Sequence, residues 1–259
     1  MNFTDFAYQY GLVIDNLIMG KWARVKTLDK PNKTNGAYIF DGCTGAVINF
    51  ATMESHAPYK TDKPFVVDRD RIKQDNEDRL AKRAKACKKA EYILENAQKA
   101  KHPYLIRKGF DENGWVWREM LIVPMRIDGK LVGCQMISAD GTKKFLSGQV
   151  TKGASLVMDK GGRDVLVEGY ATGLSVRRTL RLLDVPFKIH VCFSASNMLE
   201  IAKNAVNPLV VADNDPVGVR TAKKIASTYW VGEANEDFND YELRLGTALA
   251  SLSLKRYWK

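Results

Sequence analysis

The chain has 259 residues, of which 45% are hydrophobic and 27% charged, and 40 Lys and Arg residues against 30 Asp and Glu residues give a net charge of +10. This composition is that of a globular protein with a sizeable buried core, and it excludes a disordered or fibrous chain. No apolar stretch approaches the roughly 20 residues that cross a bilayer, so no membrane partner is expected. The basic excess favours a polyanionic partner.

The first residues lack both a basic segment and a long apolar segment, so we expect no secretory signal and residence in the cytoplasm. The four cysteines form no Cys-x-x-Cys pair, and we expect free thiols rather than disulfides or a zinc site. They are Cys43, Cys87, Cys134 and Cys192.

Residues 1–62 alternate apolar and polar positions between turn signals, which predicts a small β-rich module. Within it, residues 37–40 and 46–50 are predicted to pair as a hairpin.

Residues 68–101 contain no Pro or Gly and place apolar residues at three- to four-residue steps, which predicts a long helix. Between residues 79 and 108, ten residues are basic and only two are acidic. Such a helix face is either simply solvated or docks on nucleic acid, and both interpretations stay open. The residues that would contact DNA are Lys82, Arg83, Lys85, Lys88 and Lys89.

Pro103 ends this helix because proline cannot continue it. The next segment alternates short apolar runs with two Asp-Gly pairs, at 128–129 and 140–141, which are typical hairpin turns. The predicted strands are 115–117, 120–125, 131–137 and 143–146.

Two strongly apolar runs, 165–167 and 208–212, are predicted to be buried strands, and each ends in carboxylates. Glu168 follows the first run, and Asp213 and Asp215 follow the second. The intervening sequence predicts two helices and a strand, which together make a βαβαβ series and hence a parallel sheet. These elements are the helices 173–183 and 195–205 and the strand 188–193.

Carboxylates just past the ends of parallel strands lie at the carboxyl edge of the sheet, where open α/β sheets bind ligands. A third acidic cluster, residues 233–240, follows another strand-like run. Hard oxygen ligands gathered in this way suit Mg²⁺ or Mn²⁺ and therefore phosphate chemistry. A solvated turn rich in Asp is the alternative for each cluster taken singly.

Three strings in order resemble the TOPRIM domain of phage and plasmid primases: Val-Leu-Val-Glu-Gly at 165–169, Val-Val-Ala-Asp-Asn-Asp at 210–215, and Glu-Asp-Phe-Asn-Asp at 236–240. The resemblance implies an α+β N-terminal half, β-rich with a long basic helix, followed by an α/β TOPRIM domain with a parallel four-stranded sheet. The implied domains are 1–62, 63–158 and 159–259.

The resemblance also implies site residues. Those that would surround divalent metals are Glu168, Asp213, Asp215 and Asp237, with Asp240 as a further candidate. Segments at 102–109, 123–125 and 140–146 are similar to the basic half that precedes TOPRIM in primases. In that half, the residues implied to grip the template and the triphosphate of the incoming nucleotide are Arg107, Lys108, Lys143, Lys144 and Lys152.

A primase of this kind would make short RNA primers on single-stranded DNA from ribonucleoside triphosphates, in phage or mobile-element replication. A phage-encoded protein would then act in the host cytoplasm. The chain has no Gly-x-x-x-x-Gly-Lys-[Ser/Thr] string, so a replicative helicase would act in trans. Two alternatives remain open, a metal-dependent TOPRIM nuclease of the OLD type and a non-catalytic nucleic-acid-binding replication subunit.

Overall fold

The computed structural model describes residues 1–61, 69–233 and 235–258. The predicted boundary at 62/63, the predicted helix start at 68 and residue 234 of the third acidic cluster lie outside the described residues. The chain divides into two compact units, Met1–Lys73 and Gln74–Lys259. Whether 63–158 and 159–259 are separate modules stays a prediction.

The first unit is a five-stranded antiparallel sheet in the order β1-β2-β3-β4-β5, preceded by one short helix. The predicted hairpin is confirmed as β3 and β4. Phe3 stacks on Phe40 at 4.3 Å between ring centroids, and the enclosed core also contains Tyr38 and Val47. The elements are α1 (Phe3–Gln9), β1 (Leu12–Val13), β2 (Ala23–Thr27), β3 (Gly36–Phe40), β4 (Thr44–Asn49) and β5 (Ala57–Lys60).

The second unit contains a second antiparallel sheet, in the order β10-β9-β8-β7-β6, whose four predicted strands and two hairpin turns are confirmed. The predicted helix ends earlier than expected, at residue 95, because residues 98–100 form an edge strand. The elements are α2 (Arg69–Glu95), β6 (Gln98–Ala100), α3 (Pro103–Arg107), β7 (Gly114–Trp117), β8 (Met120–Ile127), β9 (Lys130–Ile137) and β10 (Lys143–Phe145).

Only the C-terminal half of α2 packs on this sheet. Ala90 and Ile93 are fully buried against Ile122 and Cys134. Residues 73–85 are exposed throughout, and Leu80, predicted to lie on the apolar face, is 59% exposed. Residues 73–85 of α2 therefore present their charged side chains to solvent.

The third sheet has the order β11-β13-β12-β14-β15 and is flanked by helices on both faces. The predicted helices and strand between the two acidic clusters are confirmed as α4, β13 and α5. The elements are β11 (Leu156–Asp159), β12 (Arg163–Val167), α4 (Tyr170–Leu182), β13 (Phe187–Val191), α5 (Ala195–Ala202), β14 (Leu209–Ala212), α6 (Pro216–Ile225), β15 (Tyr229–Val231), α7 (Phe238–Leu245) and α8 (Thr247–Lys255).

The predicted fold class is wrong. The described chain has three five-stranded sheets, two antiparallel and one mixed, in place of a β-rich half and a parallel four-stranded sheet. In the mixed sheet, β11 pairs antiparallel with β13, while β13, β12, β14 and β15 are mutually parallel. The short apolar run 156–158 did not identify β11, because no residue of this edge strand is fully buried and its pairing is decided by β13, some thirty residues later in the chain.

The mixed sheet has its core on both faces. Val165, Val167 and Val211 pack against α4, α7 and α8 on one face, and Leu166 and Val210 pack against α5 and α6 on the other. Central strands that are buried on both faces need the continuous apolar runs seen in the sequence. Their rigid packing sets the positions of the residues that follow each strand end.

Candidate active site at the carboxyl edge of the mixed sheet

Glu168 and Asp213 come directly after two neighbouring parallel strands. Val167 of β12 is in register with Val211 of β14, so the two strands end at the same edge of the sheet. Gly173 allows α4 to lie close to the sheet, since a Cβ at this position would be 2.7 Å from the Val191 side chain. Two of the predicted metal ligands are therefore brought together by the backbone alone.

Asp213 is the most perturbed carboxyl group of the site. Its Oδ1 atom is buried and has no hydrogen-bond partner in the described part of the chain. Burial above all, and then the negative charges of Asp237, Glu168 and Asp215, raise the pKa of Asp213 to about 7, while Lys143 opposes them. The charge of Lys143 therefore balances the carboxylate of Asp213 only in part, and no donor reaches its Oδ1 atom.

The pKa of Glu168 is raised in the same way, but by less. Burial raises its pKa first, the charge of Asp215 adds to the effect, and Lys143 lowers it. The charge of Glu168 in turn contributes to the raised pKa of Asp213.

Asp215 and Asp237 also have structural roles that the sequence did not reveal. The Asp215 Oδ1 accepts hydrogen bonds from the N–H groups of Val217 at 2.9 Å and Gly218 at 2.6 Å, and so caps α6. The Asp237 Oδ1 accepts from the Asp240 N–H at 2.8 Å and caps α7. In each case one carboxylate oxygen satisfies a helix start, which leaves the other oxygen for a ligand.

Two of the predicted basic residues reach the acidic residues. Lys143 borders the same cavity as Glu168 and Asp213. The Lys108 Nζ lies 2.9 Å from Asp240 Oδ1 and 3.9 Å from Asp237 Oδ2, so Asp240 is already paired with a cation.

The other three predicted basic residues lie elsewhere. Arg107 donates to the Ala139 carbonyl at 2.7 Å. Lys152 lies 3.6 Å from Glu200. Lys144 lies between Lys143 and Phe145 on β10, so its side chain is on the other face of the strand, and it does not line the cavity.

A cavity of about 180 Å³ lies between the second antiparallel sheet and the carboxyl edge of the mixed sheet. Four of its lining residues, Tyr104, Gln135, Phe145 and Phe193, were not predicted from the sequence. The strand period offered one signal, since Lys143 and Phe145 are two residues apart and must face the same side. The lining side chains come from Tyr104, Gln135, Lys143, Phe145, Glu168, Ala171, Thr172, Phe193, Asp213 and Asp237.

Phe193 has a left-handed backbone, with φ of 66°. A bulky aromatic residue rarely adopts this conformation, whose cost is of the order of 1–3 kcal/mol. Its N–H donates to the Glu168 carbonyl at 2.9 Å, so the strained residue is tied to the acidic strand end. Tyr104 is buried, and burial together with the charge of Asp237 raises its pKa to about 12, which keeps its hydroxyl protonated.

A divalent cation fits the chemistry of these donors. The buried, unpartnered Asp213 Oδ1 and the mutual repulsion among the carboxylates are both relieved by a bound positive charge. As placed in the described part of the chain, however, no three or more His, Cys, Asp or Glu side chains lie close enough together to hold one ion. The donors share one edge of the sheet without forming a closed ligand set.

The predicted DNA-contacting residues lie on α2. All five are exposed, and none forms an ion pair with a carboxylate in the described residues. They are Lys82, Arg83, Lys85, Lys88 and Lys89. This charge is available to a polyanion, although solvated lysines would be arranged in the same way.

No protein-family model matches the chain. Within the described residues, no helix has both the length and the apolar composition that crossing a membrane requires.

Proposed function

We propose that the protein is a DNA primase, which makes short RNA primers on single-stranded DNA by metal-dependent nucleotidyl transfer. The observation that carries the proposal is Asp213, a half-buried residue whose Oδ1 atom is buried and unpartnered beside Glu168 and Lys143. Burial of this group costs stability without forming any contact that the fold needs, which is typical of a functional site.

The carboxylates that would hold divalent cations are Glu168, Asp213, Asp215 and Asp237. When bound, Mg²⁺ or Mn²⁺ would stabilise the attacking 3′ oxygen and the leaving pyrophosphate. Asp213 must first lose its proton, because only the carboxylate is a ligand. Asp240 contributes less, since Lys108 already neutralises it.

Lys143 has a separate role in this proposal. It borders the cavity beside the acidic residues, with its Nζ 3.9 Å from the position of a Cβ built on Gly169, so its ammonium group can neutralise the triphosphate of the incoming nucleotide. Lys108 pairs with Asp240 and lies 3.9 Å from Asp237, and so helps to hold both side chains in place. A nucleotide with its accompanying cations needs acidic and basic groups in one cavity, and this cavity contains both.

The exposed basic residues of α2 would bind the phosphates of the template strand. Replacing Lys82, Lys85 and Lys89 with Gln should weaken binding of single-stranded DNA and reduce the slope of log K against log [salt] by about 0.7 for each phosphate that the variant no longer binds. Fluorescence anisotropy across a salt series measures this slope. An unchanged slope would return α2 to the role of a solvated helix, and Lys130→Gln with Lys160→Gln is the control for general charge.

Primer synthesis is preferred over the other TOPRIM activities because the sequence before Glu168 resembles the basic half of primases. A nuclease would use the same carboxylates to direct water at a phosphodiester. A replicative helicase acting in trans would complete the system.

The test is a denaturing gel with labelled ribonucleotides, single-stranded circular DNA and Mg²⁺ or Mn²⁺. Wild type should make short oligoribonucleotides, and Asp213→Ala should lower the yield by more than about 100-fold while DNA binding stays nearly unchanged. Asp159→Asn, a half-exposed carboxylate at the end of β11, is the matched control. Nicked template without new RNA would establish a nuclease, and neither product would favour a binding subunit.

A further inference from the structure

The aromatic wall of the 180 Å³ cavity has no part in the chemistry described so far. Phe145 and Phe193 meet edge to face, with ring centroids 6.5 Å apart, and both line the cavity that contains Glu168 and Lys143. Phe145 is 42% exposed although it lies on a strand of a well-packed unit. An exposed aromatic face beside charged groups is the surface on which nucleobases stack.

Gln135 is the second, independent observation. It is only 3% exposed and lines the cavity, yet its side-chain amide forms no hydrogen bond with any described residue. Neither amide atom is among the buried, unpartnered side-chain atoms of the described residues, so the amide opens onto the cavity, where its donor and acceptor groups can meet a ligand.

Strand register places Gln135 and Phe145 side by side. The two residues are directly opposite each other in the β9–β10 ladder, and side chains at such positions lie on the same face of the sheet. Lys143 shares this face two residues earlier on β10. A single ligand can therefore contact the ring of Phe145, the amide beside it on β9 and the ammonium group two residues away on β10.

We propose that Gln135, Phe145 and Phe193 form a nucleobase subsite, in which a base stacks on the phenyl rings while the Gln135 amide contacts the edge of the base. The phosphates of the same nucleotide extend toward Lys143. This inference rests on the proposed function only in that the ligand is a nucleotide. The subsite also accounts for the left-handed backbone of Phe193. Glycine would adopt this conformation more easily, but it has no ring to place beside the cavity.

The shared chemistry, a base joined to phosphate, has two sources: the incoming ribonucleotide and the DNA strand. Isothermal titration calorimetry in Mg²⁺ should be done with each ribonucleoside triphosphate, with inorganic tripolyphosphate, and with a short oligodeoxynucleotide. The proteins are wild type, Phe145→Ala, Phe145→Trp, Gln135→Leu and the control Phe50→Ala, whose ring is 49% exposed in the first unit.

Phe145→Ala should weaken binding of the base-containing ligand about fivefold or more, and leave tripolyphosphate affinity unchanged. Phe145→Trp should restore binding, Phe50→Ala should have no effect, and Gln135→Leu should reduce the spread of affinities among the four bases. A loss confined to ribonucleotides assigns the base to the incoming nucleotide, and a loss confined to the oligonucleotide assigns it to the strand. Either result supports the subsite.

Equal affinity of wild type and Phe145→Ala for every base-containing ligand would overturn the subsite, as would a matching loss of tripolyphosphate binding. Thermal melting of each variant checks folding. The two proposals fail separately, because base-dependent binding without primer synthesis would reject the primase and keep the subsite. Primer synthesis with unchanged Phe145→Ala binding would do the reverse.

Discussion

The two edges of the mixed sheet carry opposite charges, for different physical reasons. A groove of about 740 Å³ runs along the amino edge, and among the described residues no Asp or Glu side chain lines it. Three of its four cations stand where helices end: Lys203 caps α5, Lys224 is in the last turn of α6, and Arg256 caps α8. The fourth, Arg163, begins β12 and donates to the carbonyls of Asn207 and Tyr257. Positive charge at helix C-termini is favourable, so this edge is explained by stability alone.

The carboxyl edge is explained by stability only in part. Asp215 and Asp237 cap helices, which is again a favourable place for their charge. Asp213 and Glu168 have no such compensation, and burial raises the pKa of both. The charges at helix ends stabilise the fold, whereas the charges of Asp213 and Glu168 do not, and these two residues mark the candidate active site.

The largest expected effect is on the pH dependence of stability at Asp213. Its folded-state pKa is raised to about 7, so in metal-free protein its contribution is absent below pH 4 and becomes increasingly destabilising as the pH rises to 7. Asp213→Asn should therefore raise the free energy of unfolding at pH 8 by at most about 4 kcal/mol, and should change little at pH 3.5.

Urea unfolding at several pH values measures this effect. Mg²⁺ should stabilise wild type at pH 8 and leave Asp213→Asn nearly unchanged. If the variant were instead less stable than wild type at pH 8, the charge of Asp213 would be as well balanced by its surroundings as the charges of the amino edge are.

The second effect concerns the turn that carries Asp213 and Asp215. A Cβ at Gly218 would overlap the carbonyl oxygen of Asp213, so Gly218→Ala must displace the backbone of the acidic loop. We expect a loss of about 1–3 kcal/mol in stability together with a large loss of nucleotidyl transfer. Chemical denaturation and the primer gel measure the two effects, and unaltered activity would show that the position of this loop does not matter.

The third effect separates the two roles of Asp215. Asp215→Ala should lose the α6 cap and about 1 kcal/mol of stability, whereas Asp215→Asn should keep most of the cap because its side-chain oxygen still accepts from Val217 and Gly218. If Asp215 also binds a cation, both variants lose activity. Full activity of Asp215→Asn would reduce this residue to a cap, like the cations of the amino edge.

The smallest effect is at the amino edge. Lys224→Gln should cost about 0.3–1 kcal/mol at low salt and less at high salt, since it removes only a favourable charge at the end of α6. Primer synthesis should not change. Thermal melting at two salt concentrations measures the stability, and a loss of activity in this variant would give the amino edge a function that helix ends do not explain.

The strands and helices that pack most tightly were predictable from the sequence. The runs at 165–167 and 208–212 are apolar throughout because both faces of the central strands are buried. Asp-Gly turns located the hairpins of the second antiparallel sheet for an equally local reason. The edge strands β6 and β11 were not predicted, because β6 has no apolar run, β11 has only a three-residue one, and the pairing of each is decided by a partner elsewhere in the chain.

The residues of the candidate site likewise include some that the sequence predicted and some that it did not. Glu168, Asp213 and Asp215 were predictable because each follows a buried strand directly. Gln135 and Phe193 were not, since nothing near them in sequence indicates that they border a shared cavity.

The sequence by itself determined the apolar runs, the turns and the order of the acidic clusters, because these depend on residues a few positions apart. Only the tertiary structure decided which charges are compensated. Lys143 reaches the acidic edge while Lys144 does not, through one step of strand alternation, and Asp213 lacks a partner that Asp215 finds in its own helix. Burial and charge balance depend on every neighbour in space, and those neighbours come from distant parts of the chain.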